Sequence, residues 1–326
     1  MPVVSVLMAF HRVTPFLRPA VRSVLDQTAR DLELILTDNG TGAGLAPLGE
    51  DGRDPRIRLI SHSSNLGIAA AHNAAVAVAG GEFVALLDYD DLALPQRLEK
   101  QVAALRAGAD TGLVSCDAES IDENGRVFGR EFSLGAGPDQ LRYSLYAAPV
   151  VTPAYTGRRE VFERFPYRTE FACGADFDFL ARAAERYPFG AVPEVLLQYR
   201  HHAGQTTVEQ STRIARERCV VRLLAARRRA GRDEGAGWSG LLQAAAGETD
   251  RAGMLRDFAR QCLAEDFPVL AAYHARRSLA EVRTVGNFFA AVRLLVKIRR
   301  RAGVERGRAT RMFWRGPVKA LGVASL

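Results

Sequence analysis

Cysteine is scarce in this chain and carries no pattern. Cys116, Cys173, Cys219 and Cys262 lie far apart and form no Cys-x-x-Cys pair. Such spacing points neither to a zinc site nor to a disulfide framework. Long apolar runs are missing as well, and none approaches the roughly 20 residues of a spanning helix. A basic n-region is also lacking, because the chain is apolar and strand-like from Val3. No secretory leader is therefore expected, and the cytoplasm is the default compartment. The glycine run Gly40, Gly42, Gly44 is followed by Leu45 where a dinucleotide fingerprint needs its third glycine. Repeats and low-complexity tracts are absent.

What remains is ordinary in bulk and uneven in detail. The chain has 326 residues, 48% hydrophobic and 25% charged, enough for one large or two medium domains. Its net charge of +7 is split unequally. Residues 1–208 hold 20 Lys+Arg against 26 Asp+Glu, and residues 209–326 hold 24 against 11. This sets a boundary near residue 208 and suggests an anionic partner for the basic part.

The most informative stretch is GGEFVALLDYDDLALP, Gly80 to Pro95. Its apolar run from Phe83 to Leu87 is bounded by Gly-Gly and Pro, as a buried strand is. The run ends in Asp88, Asp90 and Asp91. Crowded carboxylates resist desolvation unless a cation or donors compensate them. Mg²⁺ or Mn²⁺ suits such an oxygen-rich set. The alternative is helix capping, since Leu92 to Leu105 has helical spacing.

The same alternation runs through the first 200 residues. Val3–Phe10, Leu32–Thr37, Ile57–Ser61 and Gly112–Cys116 read as strands. Phe16–Gln27, Asn65–Ala79 and Pro95–Arg106 read as helices. Glu123-Asn124-Gly125-Arg126 reads as a hairpin turn. Asp176 and Asp178 open an amphipathic helix, and Ala191–Tyr199 is strand-like. Strand–helix alternation predicts an open α/β sheet whose ligands bind beyond the strands' carboxyl ends. His11, Asp38, Asn65 and Asp88 all fall at such ends. Beyond Val208, helices are expected over 209–230, 239–246, 251–264, 267–281 and 284–301.

Taken together, VSVLMAFHR, LILTDNGT, NLGIAAAHNAAVAVAGGEFVALLDYDD, GADFDFLAR and YRHHAGQTT resemble the motifs of family 2 glycosyltransferases. The resemblance covers about residues 2–206. It implies the GT-A fold, a Rossmann-like mixed sheet flanked by helices, here followed by a helical C-terminal region. It implies inverting transfer of a sugar from a nucleoside diphosphate sugar, chiefly a UDP-sugar, to an acceptor hydroxyl. On this resemblance Asp176 is the general base, and Asp90, with Asp88 and His202, holds the divalent ion. Ala9, Phe10, His11, Arg12, Asp38, Asn65, His72, Asp88, Tyr89 and Arg200 line the donor pocket. Asp178 and Gly174 lie on the acceptor side. The chain departs from the family in having His72 where Arg is common before Asn73, and Ala9-Phe10-His11 where Thr-Tyr-Asn is common. Base contacts at the first strand are then expected from the Phe10 ring and backbone.

Duller readings stand beside these. Asp176 can cap its helix, Asp38 can close an Asx turn before Gly40, and Arg200 can pair with an acid. The loop from Asp38 to Gly44 also fits a methyl-donor-binding pattern, and a decayed, non-catalytic nucleotide-sugar binder is a further alternative. The acceptor is expected to be a glycan, a lipid-linked sugar or a small metabolite, with residues 133–170 shaping its cleft. The basic region, with TVGNFFAAVRLLVKIRRR at 284–301, is expected to self-associate or to touch the inner face of the membrane peripherally. Nothing in it forms a nucleic-acid motif.

Overall fold

A computed structural model describes residues 2–131, 151–235, 238, 251–265, 267–281 and 285–302. The helix expected over 239–246, the tail from Gly303 and residues 133–150 of the segment assigned to the acceptor cleft lie outside these. The chain divides into two compact units, Met1–Glu209 and Gln210–Leu326.

The first unit is built on a mixed sheet. Its first four long strands are β1 (Val4–Phe10), β2 (Leu32–Asn39), β3 (Ile57–His62) and β4 (Phe83–Leu86). They pair in parallel in the order β3-β2-β1-β4. Helices α1 (Leu17–Leu25) and α2 (Ile68–Val78) make the crossovers that parallel pairing requires. The sheet continues through β8 (Thr156–Arg158), β6 (Leu113–Ile121), β9 (Phe189–Arg200) and β5 (Leu92–Ala93), while β7 (Val127–Glu131) pairs with β6. β8 is antiparallel to both of its neighbours. The β6–β9 register shifts around Asp117, opposite the segment holding Pro193, a residue that cannot donate to a ladder.

β1, β2 and β4 are buried along almost their whole length. Their apolar runs therefore lack alternation, as expected for strands covered on both faces. Entry into β4 is fixed by close approach. The Gly81 N–H donates to Ser5 Oγ (2.9 Å) and the Gly80 N–H to Glu33 Oε1 (2.7 Å). A Cβ on Gly81 would sit 2.6 Å from the Ser5 nitrogen. The Gly80-Gly81 pair thus lets β4 begin against β1 and reach the site in register.

The helix expected over Pro95–Arg106 is present, but the helical spacing from Leu92 is not realised at its start. Leu92 does not begin a helix; Leu92 and Ala93 form β5, paired with Gln198 and Leu197. Helix α3 starts later and runs Arg97–Ala107. Helices α4 (Arg159–Arg164), α5 (Ala175–Ala184) and α6 (Thr206–Glu209) complete the unit.

The second unit contains α7 (Ser211–Arg229), α8 (Arg251–Ala264), α9 (Pro268–Ala280) and α10 (Val285–Ala302). α8 packs on α7, α9 and α10. Its core includes Cys219, Phe258, Cys262 and His274. Among the described residues, no helix is long and apolar enough to cross a membrane.

Candidate active site

The carboxyl ends of the parallel strands meet the end of β9. Residues 88–91 make a tight turn between β4 and β5, with the Asp91 N–H on the Asp88 carbonyl (3.2 Å). This turn gathers the carboxylates: one ligand atom each from Asp88, Asp90 and Asp91 falls within 4.8 Å of the others. β9 grips the turn from the side. The Arg200 backbone N–H donates to Asp91 Oδ1 (2.8 Å), and its Nε donates to the Asp90 carbonyl (2.8 Å). Nη1 of Arg200 reaches the Asp122 and Glu123 carbonyls of the β6–β7 hairpin. His202 Nε2 lies 2.9 Å from Asp90 Oδ2.

These carboxylates crowd one another. Burial, then the charges of Asp90 and Asp176, pushes the Asp88 carboxyl up to about 7, against the opposing charge of Arg97. Asp91 is also driven well above the ordinary carboxylate range, by burial and then by Asp90 and Asp88. Its Oδ2 is buried and lacks a hydrogen-bond partner. Three hard oxygen donors, one of them an orphan, fit a divalent ion such as Mg²⁺ or Mn²⁺.

Asp176 comes from the first turn of α5, nearly 90 residues after the cluster, yet its charge is felt at Asp88. Its Oδ2 accepts the Thr152 hydroxyl (2.6 Å), and its Oδ1 accepts the Phe177 N–H (2.7 Å). Sequence reasoning missed Thr152, which sits in a short 3₁₀ turn, Thr152–Ala154, with no periodic signal around it. Two residues further along α5, Asp178 is fully buried and paired with Arg182 (2.7 Å) and Arg168 (3.5 Å). The Gly174 carbonyl accepts the Asp178 N–H. Asp178 therefore secures α5 from within.

Several residues assigned to the donor pocket are committed elsewhere. Phe10 is 0% exposed and belongs to the hydrophobic core, so its ring offers no surface to a base. Ala9 beside it is also buried. Asp38 is fully buried: Oδ1 accepts the N–H and hydroxyl of Thr41, and Oδ2 accepts the Gly44 N–H. Burial pushes its carboxyl up, but these donors prevail and hold it below its ordinary value. Gly40 permits the turn at φ 92°, packed so closely that a Cβ would meet the Asn65 nitrogen at 2.3 Å. Asn65 is tied to Asn39, whose Nδ2 donates to its Oδ1 (3.0 Å), joining the end of β2 to the start of α2. The Arg200 guanidinium, occupied by three carbonyls, lies over the Phe16 ring at 4.7 Å. His11 accepts the Arg12 Nε (3.0 Å) and meets Tyr89 edge-on; burial, then Arg12, lowers its pKa. Arg12 in turn pairs with Glu209 (3.3 Å). Tyr89 lies between Asp88 and Asp90, and burial with the Asp90 charge takes its hydroxyl up to about 12.

His72 is a second departure from expectation. Its ring packs against Tyr167 (centroids 5.2 Å apart) in the core, and burial pulls its pKa down to about 4. A neutral, enclosed imidazole brings no positive charge to a diphosphate. Its consequence is a pH effect on stability. The unfolded chain binds a proton at His72 below about 6.5 and the folded chain does not, so stability falls as pH drops from about 6.5 towards 4. The shift corresponds to roughly 3 kcal/mol. Denaturant unfolding of wild type and His72→Asn between pH 7 and 4.5 should give a difference that shrinks as pH falls; a constant difference would refute the buried neutral state.

With the sheet order β3-β2-β1-β4 and an acid-bearing strand end, the unit has the architecture of a nucleotide-diphospho-sugar transferase, the GT-A fold. The crystal structure of S. aureus TarS 1-349 superposes with a TM-score of 0.60 over 92% of both chains, at 14% identity. TarS has also been solved with UDP-GlcNAc. Residues 5–165 match the family described as glycosyl transferase family 2. An uncharacterized glycosyltransferase of Methanocaldococcus jannaschii, MJ1057, is 31% identical over 210 residues, covering 61% of this chain and 71% of that protein. The succinoglycan biosynthesis protein ExoO of Rhizobium meliloti is 31% identical over 122 residues, covering 37% and 35%. The chain belongs to glycosyl transferase family 2 and is a glycosyltransferase.

Proposed function

We propose that residues 1–208 are the catalytic domain of an inverting transferase. It moves a sugar from a UDP-sugar to an acceptor hydroxyl in the synthesis of a cell-surface polysaccharide or other glycoconjugate. The observation that carries this reading is the convergence of Asp176 with the Asp88–Asp90–Asp91 cluster, close enough for Asp176 to raise the Asp88 carboxyl. The UDP complexes of TarS and the likeness to ExoO support the donor and the product class.

Asp176 takes the proton of the acceptor hydroxyl as its oxygen bonds to the anomeric carbon. The bond from that carbon to the diphosphate breaks, and UDP leaves with the electron pair. Base catalysis is needed because a neutral hydroxyl is a poor nucleophile. Asp88, Asp90 and Asp91 would hold a divalent ion, which when bound supplies charge neutralisation for the leaving diphosphate. His202 keeps the Asp90 carboxylate in place from the side, as outer-shell groups do for ligands.

Residues 209–326 are read as a basic, mainly helical region that positions the enzyme or its acceptor, by self-association or at the inner face of the membrane. On α10, exposed Val296 adjoins exposed Lys297 and Arg293.

A panel of nucleotide sugars tests the reading. Mn²⁺-dependent release of UDP from one member, and Mn²⁺-dependent binding of UDP, are expected. Adenosyl-methionine binding without UDP binding would overturn it. Sedimentation of the same protein with anionic vesicles tests the membrane contact, and recovery unchanged by vesicle charge would count against it.

A further inference from the structure

The core beneath the site contains polar groups that neither touch substrate nor belong to the acid cluster. Arg97 and Gln101, one turn apart on α3, are 1% and 0% exposed. Gln101 uses its whole hydrogen-bonding capacity. Its Nε2 donates to the Ala154 carbonyl (2.7 Å) and the Val114 carbonyl (3.1 Å). Its Oε1 accepts the Thr156 hydroxyl (2.7 Å) and the Arg97 Nε (3.1 Å). Arg97 Nη2 donates to the Leu86 carbonyl (2.8 Å), with Tyr155 O at 3.4 Å. Leu86 is the last residue of β4, two before Asp88. Ala154 ends the 3₁₀ turn whose first residue, Thr152, donates to Asp176.

One short helix therefore grips both halves of the site. Arg97 holds the strand end that delivers the acid cluster, and Gln101 holds the turn that reaches the distant carboxylate. We infer that Thr152 is a positioning residue for Asp176, and that Gln101, locked by Arg97, sets where Thr152 stands. This inference rests on the reading of Asp176 as general base. The physical need is clear. The Phe177 N–H fixes one oxygen of Asp176 through its own helix, and that contact alone leaves the carboxylate tied only to α5. The Thr152 hydroxyl fixes the other oxygen to a segment anchored on α3, so the base is referenced to β4 and not only to α5. Proton abstraction depends on such placement, and small misplacements lower rates about 10²-fold. A purely stabilising role does not require the network to end on a partly exposed carboxylate.

The test uses the full chain, UDP release from the UDP-sugar that the panel identifies, and calorimetric binding of UDP with Mn²⁺. Thr152→Val should lower kcat about 10- to 100-fold, with donor KM and UDP binding within about twofold of wild type. Thr152→Ser keeps the hydroxyl and should restore kcat to within about threefold. Gln101→Met should lower kcat similarly, and the double variant with Thr152→Val should lose no more than the worse single, because the two act through one path. Should Gln101→Met not fold, the Val and Ser pair at position 152 decides alone. The inference fails if Thr152→Val turns over normally while Asp176→Asn is inactive, if Ser does as badly as Val, or if the two losses add. Normal turnover by Asp176→Asn would instead remove the base reading itself, and the two failures are thereby told apart.

Discussion

Asp176→Asn is expected to lower kcat about 10²–10⁴-fold, the usual worth of a general base. Donor KM and Mn²⁺-dependent UDP binding should hardly change. The substitution is chosen to separate chemistry from structure. Asn caps a helix about as well as Asp, and its side-chain oxygen still accepts a hydrogen bond such as that from Thr152 or Phe177. A residue that merely closed the first turn of α5 would tolerate the change. What Asn cannot do is take a proton from an incoming hydroxyl. Steady-state kinetics on the UDP-sugar, with calorimetric UDP binding, gives the answer. Near-normal kcat would assign Asp176 to the helix start alone.

Asp90→Asn should abolish Mn²⁺-dependent UDP binding and cut turnover at least about 10²-fold, since charge stabilisation by an ion contributes several kcal/mol. Asp90 is the member of the cluster that His202 orients and whose backbone Arg200 holds. A companion effect in the wild type concerns pH. Without the ion, the Asp88 carboxyl is held up to about 7 by burial and by its neighbours' charges. Because that value lies above its unfolded one, its contribution to stability is full below about pH 4 and is lost as pH rises through about 7. A bound ion must displace the proton, so ion binding strengthens over the same interval. The rise in Tm on adding Mn²⁺ should therefore be larger at pH 8 than at pH 6, and should vanish in Asp90→Asn. A thermal shift independent of pH, or one retained by the variant, would contradict the cluster as the ion's holder.

Much of this molecule is legible in its amino-acid sequence. GGEFVALLDYDD gave both a buried strand and the acids at its end, because an apolar run bounded by glycines changes character abruptly there. GADFDFLAR put Asp176 in the first turn of a helix, where it is. Other features had no local signature. β5 is two residues long, and its pairing is decided by β9, about 100 residues later. The run from Val3 to Phe10 lacks alternation, so it could not tell which way Phe10 faces, and the ring lies in the core. His72 was read by analogy as facing the donor; packing against Tyr167 determined otherwise. Arg97 and Gln101 stand four apart on a helix, and nothing local in their spacing marks them as buried. They are buried because the carbonyls of Leu86, Val114 and Ala154 need donors that only tertiary structure reveals. At Asp38 both readings had been open, and its two oxygens are taken up by the Thr41–Gly44 turn.

The clasp between β9 and the acid-bearing turn has a bearing on how the protein comes into being. The bonds from Arg200 to Asp91 and from His202 to Asp90 join residues 109 and 112 positions apart. Closing such loops is slow compared with forming the β1–β2–β3 crossovers, whose partners are near in sequence. During synthesis the amino-terminal strands can pair while the three carboxylates still lack their clasp. A nascent chain that has not yet delivered residue 202 is then an unfinished enzyme with a bare acidic turn. Catalytic competence arrives late, with the last strand of the sheet.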